Sequence, residues 1–375
     1  MVPSQTEASL GVIPRSRYQP QLDGLRAVAV LVILLDHNYT PVAEFLHLGL
    51  LGVRLFFVMS GYLITHTLLG LRKKIEARSL LLTSAFTDFY ARRFLRILPA
   101  YYVAIALGVI LGFPQVQGSL IWPLTFLTNF WISLRGEWPP MVSHFWSIAV
   151  QEQFYLLWPC IILIVSRTYL WATMIGFVLS ALIFRATCIT WEIPLITRWV
   201  LPFGCLDSLV IGAMISYAKQ TWQPTRYHFW IKSKGAVAAA ILCIVTAHFL
   251  RGGNPETPLI AMKETLEALA LACFLAYAVD GFSGWLGKCL ANPVLVSMGR
   301  MSYGIYLYHV LILAGLKPFL TPLLSALPKY EWIQAVILCF ATWSVAALSW
   351  YGLENPMSQL RKYFITTTDK NSKKL

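Results

Sequence analysis

The chain has 375 residues, of which 57% are hydrophobic and 13% are charged, and 30 basic against 17 acidic residues give a formal net charge of +13. Soluble domains carry about 25% charged residues, so this composition excludes a soluble protein and predicts a polytopic membrane protein. No polar block between the apolar runs is long enough for a separate soluble domain. Residues 24–356 are therefore predicted to form one integral membrane domain.

The first 23 residues lack both the apolar core and the small-residue cleavage site of a secretory signal peptide. We expect no signal peptide here, but a cytoplasmic tail that precedes an uncleaved first span. Residues 357–375 are rich in lysine and are expected to form a second, basic cytoplasmic tail.

Eleven apolar runs of roughly spanning length lie between these tails, given that about 20 residues cross a ~30 Å hydrocarbon core. The runs cover residues 24–41, 47–70, 94–113, 117–133, 146–166, 168–190, 199–218, 235–251, 264–281, 296–316 and 331–353. They predict an all-α fold, a polytopic transmembrane helical bundle.

Positive charge orients these runs, because cytoplasmic loops of membrane proteins are enriched in Lys and Arg. Basic residues concentrate at 71–96 and at 219–234, so both segments are expected on the cytoplasmic side. An even number of crossings must separate them, yet five apolar runs lie between. The run at 117–133 is the shortest and contains Pro123 and Asn129, so we predict that it is re-entrant or does not span. About ten spanning helices then remain, with both termini cytoplasmic.

The first run places two ionisable residues on one helix face. Arg26 and His37 are eleven residues apart, which on an α-helix returns to within about 20° of the same face, about 16 Å further along. An arginine near a helix end can snorkel to the interface, but His37 lies inside the run and in the outer half. Ionisable residues that face a bundle interior usually mark a pathway or a site, so we favour a functional role for both.

Two further segments carry polar residues at helical spacing. Ser147 and Gln151 share a face, with Glu152 about 100° further round, at the outer end of the run that begins at 146. In the tenth run, Ser302, Tyr306 and His309 fall at i, i+4 and i+7 and form one stripe. An aromatic stripe is often core packing, but His309 could also join the site of His37.

Seven segments, in order along nearly the entire chain, resemble the acyltransferase-3 family, the OafA-like membrane O-acyltransferases. They are LDGLRAVAVLVILLDH (22–37), GVRLFFVMSGYLIT (52–65), FYARRFLRILPAYY (89–102), HFWSIAVQEQFYLLWP (144–159), GCLDSLVIGA (204–213), SMGRMSYGIYLYHVLI (297–312) and YGLENP (351–356). The first contains the arginine, ten residues and histidine that are the signature of this family. The resemblance implies an enzyme that moves an acyl group, usually acetyl from acetyl-CoA, to a hydroxyl of a carbohydrate or another acceptor. It also implies the membrane-only form, without a C-terminal hydrolase-like domain.

The chemistry assigns roles to the catalytic candidates. A sugar hydroxyl is a poor nucleophile and needs a base to take its proton, and His37 fits that role on the side where an exported glycan would lie. The family usually shows a Glu four residues after the serine, often with a second Glu directly after, but here the first position is Gln151. Either Glu152 carries the carboxylate role or Gln151 supplies hydrogen bonds while Glu152 is structural, and we favour Glu152. His309 is the third catalytic candidate, with Ser147 and Tyr306 in support.

Arginines are the natural partners of the CoA phosphates. Arg26 is the strongest candidate, because it lies on the face of His37 towards the cytoplasm. Arg92, Arg93 and Arg96 are further candidates, although orientation of the chain and contact with anionic lipid are the favoured explanation for basic loop residues. We also expect Asp207 and Glu354 to pair with arginine, and Gly61 to permit close helix packing.

The leading hypothesis is therefore an O-acetyltransferase of the bacterial inner membrane that acts on an exopolysaccharide, a lipopolysaccharide or a lipid-linked oligosaccharide. The alternatives are a proton-coupled transporter of a polar solute and an acyltransferase that acts on a small natural product. The seven cysteines are scattered singly, so no metal is predicted. Expected partners are acyl-CoA, the glycan acceptor, the lipid bilayer and glycan-assembly proteins, with no nucleic acid.

Overall fold

The structure, a computed structural model, describes residues 18–38, 48–112, 120–252, 258–328 and 330–360. Over these residues the elements are helices, without a β-strand, which confirms the all-α prediction. The predicted tails lie largely outside the described residues. The first helix begins at Pro20, four residues before the predicted membrane domain.

Seventeen α-helices follow one another in the described residues. The first half forms α1 (Pro20–Asn38), α2 (Leu48–Glu76), α3 (Leu82–Ile110), α4 (Ile121–Leu124), α5 (Thr128–Arg135), α6 (Phe145–Ile164) and α7 (Arg167–Thr190). The second half forms α8 (Leu195–Val200), α9 (Pro202–Thr221), α10 (Pro224–Lys232), α11 (Lys234–Gly252), α12 (Lys263–Asp280), α13 (Gly284–Leu290), α14 (Pro293–Arg300), α15 (Ser302–Leu324), α16 (Tyr330–Ser349) and α17 (Asn355–Gln359). A 3₁₀ turn (Pro258–Met262) precedes α12, and a π-helical turn (Trp350–Glu354) joins α16 to α17.

Eight helical stretches of the described residues are long and apolar enough to cross a membrane. They are Leu48–Glu76, Leu82–Ile110, Phe145–Ile164, Arg167–Thr190, Leu195–Thr221, Pro224–Ala247, Ser302–Leu324 and Tyr330–Gln359. These stretches confirm a polytopic helical membrane bundle. The described parts of the predicted spans at 24–41 and 264–281 are helical too and lie in α1 and α12, which carry three and four charged residues. The count of ten spans stays a prediction.

The apolar run at 117–133 does not form a single helix in its described part. It is divided between α4, with four residues, and α5, with eight residues, and both are far shorter than a spanning helix. Pro123 lies inside α4, and Phe126, between the two helices, has a positive φ of 56°. The prediction that this segment does not span as a helix is confirmed.

The run predicted at 296–316 contains a break that its hydropathy does not show. α14 ends at Arg300 and α15 begins at Ser302, with Met301 between them. Arg300 therefore belongs to a separate short helix, while Ser302, Tyr306 and His309 remain together on α15. The polar stripe that we predicted is therefore present on one helix.

The bundle is organised around α2, which packs against α1, α6, α9 and α12. At the crossing of α2 and α9, a Cβ atom on Gly61 would collide with the carbonyl oxygen of Leu209, and one on Gly212 with that of Val58. Each helix thus has a glycine where the backbone of the other approaches it, and Gly61 has the packing role that we predicted.

A buried ionic cluster joins α7, α9 and α12. Arg185 donates to the carboxylate of Asp207 at 2.8 Å, to the hydroxyl of Thr265 at 2.6 Å and to the carbonyl oxygen of Gly204 at 2.7 Å. The hydroxyl of Thr265 also lies 2.6 Å from the Asp207 carboxylate, and both charged residues are almost completely buried. The predicted pairing of Asp207 with an arginine is confirmed, and the cluster holds three helices in register.

Glu354 differs from the expectation that it would pair with arginine. Its carboxylate accepts a hydrogen bond from the hydroxyl of Ser349 at 2.9 Å, within the π-helical turn. The wider turn brings these side chains together, because it moves residue 354 from the position that it would have in a regular α-helix. Glu354 also packs against Gly304 of α15, and this part of the chain supports the helix that carries His309.

Candidate active site

A cavity of about 100 Å³ lies between α1, α2, α3, α6 and α15. The structure brings most of the predicted site residues to its wall, although they come from four of these helices. Those that line it are Arg26, Arg93, Arg96, Ser147, Gln151, Glu152 and Tyr306. The cavity is the place where the sequence candidates converge.

Three arginines form the basic side of the cavity. Arg93 and Arg96 are one turn apart on α3, and Arg26 approaches from α1. The guanidinium of Arg93 lies over the ring of Tyr155, 4.7 Å from its centroid, and Arg26 contacts Asp23 at 3.3 Å. Glu152 is the carboxylate among the lining residues, so positive charge dominates the wall. This arrangement suits a polyanionic group such as a phosphate ester.

Arg92 is not brought to the cavity, in contrast to its assignment with Arg93 and Arg96. Its side chain is 41% exposed and forms an ion pair with Asp88 at 3.4 Å, one turn earlier on α3. Adjacent residues on a helix point about 100° apart, and the rotation of α3 turns Arg93 to the cavity and Arg92 towards Asp88. The geometry gives Arg92 a position on the helix surface.

Ser147 and Tyr306 link α6 to α15 at the cavity wall. Their hydroxyl oxygens are 2.7 Å apart, and both approach the carbonyl oxygen of His144, at 3.2 Å from Ser147 and 3.0 Å from Tyr306. The hydroxyl pair is therefore held by the last residue before α6.

Gln151 and Glu152 both reach the cavity, although they point in different directions on α6. The side-chain amide of Gln151 donates to the hydroxyl of Ser60 at 2.5 Å, so this residue has a hydrogen-bonding role between α6 and α2. Glu152 lies near Arg93 across the cavity wall. This placement agrees with the hypothesis that Glu152, and not Gln151, has the carboxylate role of the site.

His37 and His309 meet beside the cavity without lining it. Their ring centroids are 5.0 Å apart, with the ring planes at 73°. His309 is 1% exposed, whereas His37 is exposed at the far end of α1 from Arg26. The stripe of α15 thus extends from the cavity, at Tyr306, to the imidazole of His37.

His144 has no preferred role on sequence grounds, and the structure places it in this cluster. It is 3% exposed, and its ring centroid lies 5.0 Å from that of His309 and 5.7 Å from that of Tyr306. The signal in the sequence is its position three residues before Ser147, one helical turn away. Tyr155 and Tyr303, which line the cavity, were also missed, and they lie one turn from Gln151 and Tyr306 respectively.

Comparison with known proteins bears on this site. The family described as an acyltransferase domain matches residues 19–353, which contain all the cavity and histidine residues of this site. A peptidoglycan O-acetyltransferase OatA from Listeria monocytogenes is 28% identical over 383 residues, covering 95% of this chain and 58% of that protein. An O-acetyltransferase OatA from Staphylococcus aureus is 27% identical over 369 residues, covering 91% of this chain and 57% of that protein. The chain thus spans less than two thirds of the length of these relatives. No solved structure matches.

Proposed function

The chain belongs to the acyltransferase-3 family, and from this premise we propose that it is a membrane O-acetyltransferase that takes acetyl from acetyl-CoA and transfers it to a hydroxyl of a carbohydrate. Relatives that are named O-acetyltransferases support the class of reaction. The acceptor that we propose is an exported glycan or its lipid-linked precursor.

The observation that carries the proposed donor is the cavity with three arginines. Acetyl-CoA bears several phosphate charges, and guanidinium groups bind phosphate in a planar, bidentate manner. Arg26, Arg93 and Arg96 line one wall, and the hydroxyls of Ser147 and Tyr306 lie on another. We place the phosphates at the arginines and the thioester towards the hydroxyl pair and the histidines.

The observation that supports the proposed acceptor side is the exposure of His37. Nδ1–H of His37 donates to the carbonyl oxygen of Ile33 at 2.9 Å, so Nε2 is the nitrogen that carries the lone pair whenever the ring is neutral. A neutral imidazole with a free nitrogen is the group that can remove a proton from a hydroxyl. His37 is therefore the general base of the proposed reaction.

The direct test uses membranes that contain the full chain, supplied with acetyl-CoA labelled in the acetyl group. The proposal expects label in the glycan fraction and release of CoA thiol, both dependent on the chain. Matched membranes without the chain give the background. Thiol release with label in a small soluble product would move the acceptor to the natural-product class, and the absence of both would refute the acetyltransferase.

The proposed orientation places the protein in the inner membrane with both termini cytoplasmic, because basic residues concentrate at 71–96 and 219–234. Reporter fusions after residues 80 and 225 should then give a cytoplasmic signal, and a fusion near residue 140 an external one. Fusions are compared at equal abundance. A cytoplasmic signal at 140 would contradict the proposed orientation and the outer position of His37.

Arg26→Lys tests the proposed phosphate contact. Lysine keeps the positive charge but loses the planar fork, so we expect the KM for acetyl-CoA to rise by about tenfold, as the loss of one good charged hydrogen bond predicts. Protein abundance should stay normal. Arg226→Lys is the matched control, because Arg226 stacks on Trp222 at an exposed position of α10. An unchanged KM in Arg26→Lys would remove Arg26 from the donor site.

A further inference from the structure

Three imidazoles of this protein are each anchored by one ring nitrogen to a backbone carbonyl. Nδ1 of His37 lies 2.9 Å from the oxygen of Ile33, and Nδ1 of His309 lies 2.5 Å from that of Tyr306. In His144 it is Nε2 that lies 3.1 Å from the oxygen of Leu307. A carbonyl only accepts, so each anchored nitrogen carries a proton. Each ring has a second nitrogen, its basic nitrogen, that this bond does not occupy.

Two of these basic nitrogens are buried without a hydrogen-bond partner among the residues that the structure describes. They are Nε2 of His309 and Nδ1 of His144, in side chains that are 99% and 97% buried. Leaving a buried acceptor unsatisfied costs about 1–3 kcal/mol, and native structures rarely keep such groups without a role. The two rings are neighbours, so both orphan nitrogens belong to one cluster.

The histidines are in contact in the order His37, His309, His144. Each pair of neighbouring rings has a centroid separation of 5.0 Å, and two imidazoles at this separation can share an added proton when their free nitrogens turn towards each other. Two nitrogens that both carry lone pairs do not form a hydrogen bond with each other. One added proton between them supplies the hydrogen that this bond needs. The cluster thus has one site for a proton and two imidazoles that can share it.

His144 also contacts the cavity side of the site. Its backbone carbonyl holds the hydroxyls of Ser147 and Tyr306, and its ring lies against Tyr306. It is the residue of this cluster that joins the histidines to the donor cavity. The hydrogen bonds of its backbone explain why the residue is placed there, but they do not require an imidazole.

We propose that His144 is a positioning residue that acts through His309, and that the two buried imidazoles form a relay that takes up the proton removed by His37 and returns it to the donor side. The proposal rests on the proposed O-acetyltransferase function and adds to it the route of the proton.

The relay closes the proton balance of the reaction. The acceptor oxygen attacks the thioester carbon as its proton passes to Nε2 of His37, the C–O bond forms, and the C–S bond breaks with its electron pair going to sulfur. One proton is lost by the hydroxyl and one is gained by the CoA thiolate. The shared proton moves from His37 to His309 and His144 and leaves to the thiolate, so every histidine ends neutral.

His144→Gln tests the relay against a structural role. The glutamine amide can still donate to the carbonyl oxygen of Leu307, but the basic nitrogen at the Nδ1 position is gone. The relay expects kcat to fall by about 10- to 100-fold, at the lower end of the usual contribution of acid–base groups, with the KM for acetyl-CoA unchanged. The matched control is His228→Gln, because His228 is exposed and bonds a backbone carbonyl one turn earlier in the same manner as His37.

A second variant distinguishes loss of the basic nitrogen from a folding defect of His144→Gln. His144→Ala leaves space for a small ring, and imidazole should restore kcat while pyrazole, which has the same size but is a much weaker base, should not. Normal kcat in His144→Gln, or equal rescue by both rings, would overturn the relay. Wild-type membranes assayed in parallel separate the two hypotheses, because no acetyl transfer by the wild type would refute the proposed function itself.

Discussion

His37→Gln is expected to lower the rate of acetyl transfer by about two to four orders of magnitude, the usual contribution of a general base. Glutamine keeps similar bulk and some hydrogen bonding, but it cannot carry the proton of the acceptor hydroxyl. Binding of acetyl-CoA should change little, because the cavity arginines do not lie beside His37. Arg26 is eleven residues from His37, towards the other end of α1. Abundance, affinity for acetyl-CoA and transfer should be measured on the same membranes.

The control for this variant is again His228→Gln, which removes an imidazole with the same type of carbonyl bond from an exposed position. It should transfer acetyl at the wild-type rate. A structural role of His37 would lower abundance or acetyl-CoA affinity together with activity. Normal transfer in well-expressed His37→Gln would exclude the histidine as the base, even though the family membership would stand.

Asp207→Asn is expected to be the most destabilising of the conservative substitutions considered, by about 3–5 kcal/mol in the free energy of unfolding. The carboxylate lies 2.8 Å from the guanidinium of Arg185, and both residues are at most 1% exposed. Removing the negative charge leaves a buried arginine whose nearest remaining carboxylate, Glu264, is at 3.9 Å. Thermal unfolding in detergent and abundance in the membrane should both report the loss.

Glu137→Gln gives the matched comparison for a carboxylate at the surface. Glu137 pairs with Arg135 at 3.2 Å, but the two side chains are 67% and 58% exposed. Solvent weakens such a pair, so the change should cost no more than about 1 kcal/mol. Equal unfolding temperatures for Asp207→Asn and Glu137→Gln would show that the buried cluster does not stabilise the bundle.

The sequence did not predict how each helix is rotated about its own axis, and therefore which of its faces points to the site. Both Arg92 and Arg93 were candidates, and the structure brings only Arg93 to the cavity, because packing against the neighbouring helices determines which face of α3 points inward. The same limit applies to Glu354, whose expected arginine partner is replaced by Ser349 through a π-helical turn. The spacing of residues along a helix predicts which of them share a face, but it does not predict which neighbouring helix packs against that face.

The sequence by itself determined the helical membrane class, the segment at 117–133 that does not span as a helix, and seven of the residues that line the cavity. These features depend on local properties, namely the hydropathy of about 20 consecutive residues and the 3.6-residue period of a helix. The tertiary structure alone decided that α1, α3, α6 and α15 meet at one cavity, and that His144 joins His37 and His309. Such contacts join residues that are far apart in the sequence, and close packing between helices, as at Gly61 and Gly212, sets them.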